Sequence, residues 1–273
     1  MKKRVLSMII ACLMMVCLFV SCDEPVDDDT SPAEKTLEEV MTAADDALGA
    51  KAYTATSTTV LECEDADMAA TILEMQDTLP TITYSVKGGQ FVANLTTSVA
   101  GMTLEKTYIL KDSVLYSDST LSSGDDILAS VKEKAVFEEE KVEEALTAIG
   151  AGATIVYTDF GSTNLTSDAA GHIVSFSNMK EDVLKNMETV LGGSLESTGA
   201  VMTLKAVSMN IEIADDKYKS TVVTYEYEVR TMEDSYTITM TVTTVYDYIT
   251  EVVINSPEDV SKFEIVEYEE IFK

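Results

Sequence analysis

Tryptophan is missing from this chain and histidine occurs once, at position 172. The first absence weakens a glycoside-processing reading, since no pair of carboxylates is singled out and no indole is available to stack a sugar. The second narrows nucleophilic and metal chemistry. His172 follows Gly171 at the start of a predicted strand, and a Cys–His couple would need Cys63 beside it. A zinc site would need further ligands at a recognisable spacing, which the chain does not contain. The glycine pairs Gly88-Gly89, Gly150/Gly152 and Gly192-Gly193 lack the following Lys-Ser/Thr of a phosphate cradle and read as turns. Of four cysteines, Cys12 and Cys17 lie in an N-terminal apolar run and Cys22 directly after it. Cys63 is left alone among Glu62, Glu64 and Asp65, so no internal disulfide framework is expected, and neighbouring carboxylates dull the thiol as a nucleophile. Basic residues are scarce, 19 against 48 acidic, for a net charge of −29. Duplex nucleic acid is thereby excluded as a partner, because binding it requires phosphate neutralisation.

What is present begins with Lys2, Lys3 and Arg4, followed by an apolar run from Val5 to Val20. That is the grammar of an export signal. At 16 residues the run is shorter than the roughly 20 a helix needs to cross a bilayer, and no basic stop-transfer cluster follows. Removing residues 1–21 takes away three basic and no acidic groups, leaving 16 Lys+Arg against 48 Asp+Glu. Such a body is soluble, self-repelling and repelled by an anionic bilayer surface.

Leu18-Phe19-Val20-Ser21-Cys22 resembles the lipobox of bacterial lipoproteins, with Phe19 standing where the family usually has Leu. The resemblance implies that the Cys22 thiol carries diacylglycerol, that the chain is cut before it, and that the protein sits in the cell envelope, held to a membrane by acyl chains. Two or more chains make a stable anchor where one is marginal. Asp23 to Pro32, acidic and without apolar period, reads as a tether, so the expected division is signal 1–21, tether 22–32 and one domain over 33–273.

Within that domain Leu37, Val40, Met41, Ala44 and Leu48 recur at helical spacing, closed by Gly49. A Thr-rich strand follows over Ala52 to Leu61, then a short helix in 64–79 before Pro80. Strands around Ile82/Tyr84/Val86, Phe91 to Val99, Leu104 to Leu110 and Val114/Tyr116, separated by Lys87-Gly88-Gly89-Gln90 and Lys111-Asp112, form an antiparallel meander. A helical stretch is expected at about 125–149, where Glu138-Glu139-Glu140 is a solvated face rather than a cation site. Strands are then expected at Ile155 to Phe160 and His172 to Phe176. Asn178 and Glu181 are spaced as a capping box opening a helix with Val183, Leu184, Met187, Val190 and Leu191 on one stripe. Three long strands come next. Val207 to Ile213 alternate, Val223, Tyr225, Tyr227 and Val229 alternate with polar residues, and Tyr236, Ile238, Met240, Val242, Tyr246 and Tyr248 alternate mostly with threonine. A strand at Val252-Val253-Ile254 and a helix start at Ser256-Pro257-Glu258 close the pattern.

The order of these elements, with the helix Leu37 to Leu48 running into Tyr53-Thr54-Ala55-Thr56-Ser57-Thr58-Thr59, resembles envelope proteins of the LolA/LppX-like fold. The resemblance covers about 35–260. It implies an α+β domain, a strongly curved and mainly antiparallel half-barrel closed by a few amphipathic helices around a hydrophobic cavity that receives acyl chains. The candidate lining is Val183, Leu184, Met187, Tyr225, Tyr227, Tyr236, Ile238, Met240 and Val242. The same stripes would equally fill a closed core. The functional expectation is a non-enzymatic lipoprotein, without metal or cofactor, binding a lipid or acylated ligand. The alternative is a surface scaffold with a filled core and an acidic binding face.

Overall fold

The computed structural model describes residues 35–50, 52–75, 79–99, 101–136, 157–192, 201–230, 234–249, 252–267 and 270–271. The expected signal, Cys22, the expected tether and the acidic run 138–140 lie outside the described residues. The chain is α+β, with antiparallel strands predominating over a few helices, and it resolves into two compact units. The first takes the described parts of 1–49, 60–74 and 153–243; the second takes those of 50–59, 75–152 and 244–273.

In the first unit α1 (Leu37–Ala50) opens with a capping box at Thr36 and Glu39. The Thr36 amide donates to Glu39 Oε2 at 2.8 Å and the Glu39 amide to Thr36 Oγ1 at 3.3 Å, satisfying two donors that a helix start otherwise strands. Its buried stripe is Val40, Met41, Ala44 and Ala47. The end of β1 (Tyr53–Cys63) leads through Asp65, which caps the Met68 amide at 2.9 Å, into α2 (Ala66–Met75). β7 (Phe160–Asp168), β8 (Gly171–Met179), α3 (Glu181–Gly192), β9 (Val201–Ala214), β10 (Lys217–Arg230) and β11 (Ser235–Asp247) complete the unit. The strand order is β11-β10-β9-β8-β7, and α3 packs on β9.

Alternation produces the core here. Val207, Met209, Ile211 and Ile213 of β9 and Val223, Tyr225, Tyr227 and Val229 of β10 are all buried, as period two predicts for a half-buried sheet. A register shift at Glu226/Tyr227, opposite Ala206 and Leu204, lets Leu204 and Val207 both turn inward. The β9–β10 loop Asp215-Asp216 has φ of 54° and 55°, the left-handed pair that a two-residue hairpin demands. Gly171 has φ of +146°, and a Cβ there would meet the Ile213 carbonyl oxygen at 2.2 Å, so glycine is required where β8 begins its pairing with β9.

In the second unit β2 (Thr81–Lys87), β3 (Gln90–Val99), β4 (Met102–Lys111), β5 (Val114–Ser123) and β6 (Asp126–Val136) form the meander. The strand order runs from the end of β11 through the start of β1 to β6, then β12 (Glu264–Ile265). One face buries Tyr53, Tyr84, Phe91, Tyr108, Leu110 and Leu115. The opposite face is crossed by a strap, residues 252–263, which buries Val252, Ile254 and Phe263. Three lysines of that face fasten it by their ammonium groups: Lys87 to the Val252 carbonyl at 3.2 Å, Lys111 to that of Ile254 at 2.8 Å and Lys134 to that of Val260 at 2.8 Å. Beyond the strap β12 pairs in parallel with Glu133 and Lys134 at the edge of β6. Ile271, fully buried, has its carbonyl bonded by Lys106, which alternation places on the same face as Tyr108. The C-terminal segment thus covers one face, blunts part of an open edge and reaches the other face.

Four sequence expectations are corrected. Residues 126–136 form strand β6, not a helix: Ile127, Leu128 and Val131 suggested helical spacing, but register with β5 decides the conformation. The strand expected over 155–160 begins at Phe160, after a 3-10 turn at Tyr157–Asp159. Asn178 does not cap α3. It lies within β8 at φ of 58°, its amide nitrogen donates to Ser162 Oγ at 2.7 Å, and the helix starts by a bond from the Leu184 amide to the Lys180 carbonyl. Val252-Val253-Ile254 is a strap rather than a strand, because lysine ammonium groups serve its carbonyls at Val252 and Ile254.

Candidate functional site

The nine expected lining residues fall in the first unit, on α3, β10 and β11. Tyr227 is 0% exposed and Ile238 and Met240 are each 1% exposed, while Tyr225 and Tyr236 are also buried. Side chains so fully buried border neither solvent nor an internal void large enough for water, as in a close-packed core. The rings of Tyr225 and Tyr227, two residues apart on one face, lie nearly parallel with centroids 6.3 Å apart. Val183, Leu184 and Met187 of α3 and Val242 of β11 keep partial exposure. The Tyr236 hydroxyl donates to Asp234 Oδ2 at 2.7 Å. That bond, then burial, pushes its pKa up to about 12, so it stays a neutral donor at physiological pH.

The other sequence candidates stand apart from this set. His172 pairs with Ser167 across the β7–β8 hairpin, Nδ1 to Oγ at 2.8 Å. Cys63 is partly buried and its thiol pKa is raised, first by burial and further by Asp65 and Glu64, which leaves it a poor nucleophile. Among the described residues no three His, Cys, Asp or Glu side chains gather where a metal could sit. No described helix is long and apolar enough to cross a membrane.

Two features of the second unit were not foreseen. Tyr53 is ringed by Tyr84, Tyr246 and Tyr248, with centroids 6.3, 6.1 and 6.0 Å away. Burial, then the neighbouring phenols, raise the pKa of Tyr53 and hold it neutral. These residues are far apart in sequence, so only the pairing of β1 with β2 and its place beside β11 and the residue that follows it could gather them.

The second feature is a cleft of about 360 Å³ between the strap and the strap-covered face of β4–β6. Its floor includes Tyr116 and Asp118 of β5 and Lys132 of β6, adjacent in register, with Ile109 of β4 opposite Tyr116. Its roof includes Pro257, Glu258, Lys262 and Phe263. The Tyr116 and Phe263 rings meet edge to face with centroids 5.3 Å apart, and Lys132 Nζ lies 5.5 Å from the Phe263 centroid. Lys132 also forms an ion pair with Asp118 Oδ2. Asp118 Oδ1 is buried without a hydrogen-bond donor. Lys262 pairs with Asp259 at 3.4 Å, and Asp259 also caps the Ser261 amide at 3.2 Å.

No protein-family model matches the chain, and no curated protein matches it. Among solved structures it is similar at 9% identity to the ywiB protein from Bacillus subtilis, over 73% of this chain and 93% of that one, with a TM-score of 0.19. It is similar at 6% identity to the tesB protein from Mycobacterium avium subspecies paratuberculosis, over 77% and 84%, with a TM-score of 0.12. Likeness at that level carries no functional argument.

Proposed function

We propose that this chain is a lipid-anchored bacterial envelope lipoprotein, non-enzymatic, with a LolA/LppX-like half-barrel layout and a filled interior, working as a surface-binding or scaffold protein through its acidic exterior. The observation that carries this reading over amphiphile carriage is the near-zero exposure of Tyr227, Ile238 and Met240. A site for an acyl chain leaves its lining accessible when empty, and these residues instead support a packed core. The net charge of −29 favours a basic protein or surface polymer as the partner, drawn by long-range attraction that salt weakens. The element order supports the half-barrel layout, with α1 and five meander strands preceding α3 and three long strands. Amphiphile carriage has one observation in its favour: Val183, Leu184, Met187 and Val242 keep partial exposure on otherwise apolar stripes.

Native mass spectrometry of the processed protein, released gently from membranes of a bacterial host, tests the choice. A mass of chain plus Cys22 acyl groups alone, unchanged after incubation with total lipid extract, is expected. A further bound phospholipid or fatty acid, lost on organic extraction, would overturn the filled-interior reading in favour of the carrier. A Cys22→Ala variant recovered in the membrane fraction like the wild type would overturn the anchor.

A further inference from the structure

We propose that the outer edge of β7 is a self-association site, where a second copy of this chain adds its own β7 in antiparallel register and continues the sheet. This stands on the strand's position and sequence and not on the acidic-exterior reading above. β7 is the last strand of the order, and among the described residues only β8 pairs with it. Its register with β8 runs without a shift from Ser162 to Asp168. The far side therefore carries a regular row of main-chain N–H and C=O groups that no described strand meets. Such an edge invites another strand, and proteins blunt it with charges, proline, a bulge or a covering segment. The opposite end of the order is blunted in this way: β6 has a bulge opposite Leu121 and Ser122, carries Asp126, Lys132, Glu133 and Lys134, and is partly capped by β12. β7 has none of these devices. From Phe160 to Ser167 it holds no charged residue and no proline, and Ser162, Thr163, Asn164, Thr166 and Ser167 are exposed.

The missing charge also selects the occupant. At a net charge of −29 two copies repel over most of their surface, and β7 is an edge where they can meet without opposing carboxylates. The strand is its own complement. A two-fold axis at Asn164, the midpoint of Phe160–Asp168, gives the longest ladder. It sets Ser162 against Thr166 of the second copy, Thr163 against Leu165, and Asn164 against Asn164. Hydroxyl and amide side chains placed opposite one another support such a pairing, and Asp168 falls opposite Phe160, so no like charges meet. A basic strand would find no carboxylate on β7 before Asp168, and the acidic exterior serves it better.

The test is disulfide trapping of the full chain in mild detergent. Facing residues of an antiparallel pair have Cα atoms about 4.5–5.5 Å apart, inside the roughly 4.4–6.8 Å that a disulfide spans. Asn164→Cys should therefore give a disulfide-linked homodimer on mild oxidation, with the 164–164 linkage located by peptide mass. Thr166→Cys is the register control: its two copies lie four positions out of register, ~13 Å apart along the strand, and should cross-link at least fivefold more slowly. Wild type, which keeps Cys63, gives the background. In sedimentation velocity the wild-type dimer fraction should rise with salt, because screening weakens the repulsion between acidic copies, the reverse of a partner drawn to the acidic exterior. Asn164→Asp sets two carboxylates face to face and should weaken association at least tenfold at pH 7, with circular dichroism unchanged because the position is exposed. Equal trapping at 164 and 166, a wild-type chain that stays monomeric at high salt, or an Asn164→Asp chain that associates like wild type would overturn the proposal. Trapping in host membranes that linked residue 164 to a different protein instead of a second copy would overturn the occupant.

Discussion

Replacing Ile238 by alanine probes whether the interior behind β10 and β11 is filled. Ile238 is 1% exposed in the first half of β11, between buried Tyr236 and Met240. The substitution deletes three carbon groups, worth about 2.4 kcal/mol at ~0.8 kcal/mol each. The hole left behind adds about 1.5 kcal/mol, at ~24 cal/mol per Å³ over roughly 60 Å³ of unrelaxed volume. A loss of about 4 kcal/mol is therefore expected, inside the ~2–5 kcal/mol span of buried Ile→Ala changes. With no tryptophan in the chain, urea unfolding is followed by far-ultraviolet circular dichroism and tyrosine emission. At a slope of roughly 3 kcal/mol per molar urea, the midpoint should fall by a little over ~1 M with the slope unchanged. Val201→Ala on β9, where valine is 62% exposed, is the control and should stay within about 0.5 kcal/mol of wild type. If Ile238 bordered a ligand-sized void it would already lack neighbours on that side, and the loss would shrink. A measured loss below about 1 kcal/mol would refute the filled-core reasoning.

Two predictions concern charge. Glu228 accepts from Lys205 at 2.6 Å and Arg230 at 2.8 Å, which hold its carboxyl down to about 2. A depressed carboxylate contributes stability above its unfolded pKa of ~4.3 and loses that contribution as pH falls through the folded value. Carboxyl carbon chemical shifts should thus find Glu228 still ionised at pH 3, and Lys205→Met with Arg230→Gln should move its titration up toward ~4.3; an unshifted titration would dismiss the pair as the cause. Asp45 of α1 accepts from the Tyr218 hydroxyl, and its pKa is raised, burial outweighing the downward pull of that bond. A raised carboxyl has the opposite sign: its contribution is present below the unfolded value and is lost as pH rises through the folded one. Tyr218→Phe removes the downward pull, so it should cost about 1 kcal/mol at pH 7 and less at pH 3, where Asp45 is protonated; a loss equal at both pH values would show that the bond does not serve the carboxylate.

The parts of this fold legible in the sequence were those with a local cause. Two-residue turns at Gly88-Gly89 and Asp112-Ser113 take positive φ because the chain leaves little other choice there, and their flanking alternation gives the meander. The stripe Val40, Met41 and Ala44 had only to be buried by something, and so read as a helix. Local signals also misled. Asn178 and Glu181 have the spacing of a capping box, but β7 pairing claims Asn178, while the working box is Thr36 with Glu39. Residues 126–136 look helical by spacing, and β5 makes them a strand through bonds whose partners lie up to 22 positions back in the chain. The apolar stripes of β10 and β11 determined that Tyr227, Ile238 and Met240 would face inward; alternation cannot say whether inward means a void or a core, since that depends on which side chains of other elements fill the space. The cleft was invisible for the same reason. Its carboxylates and rings come from β5 and the strap, and only the crossing of 252–263 over that face, fastened by lysines of three strands, brings them to the walls of one cleft.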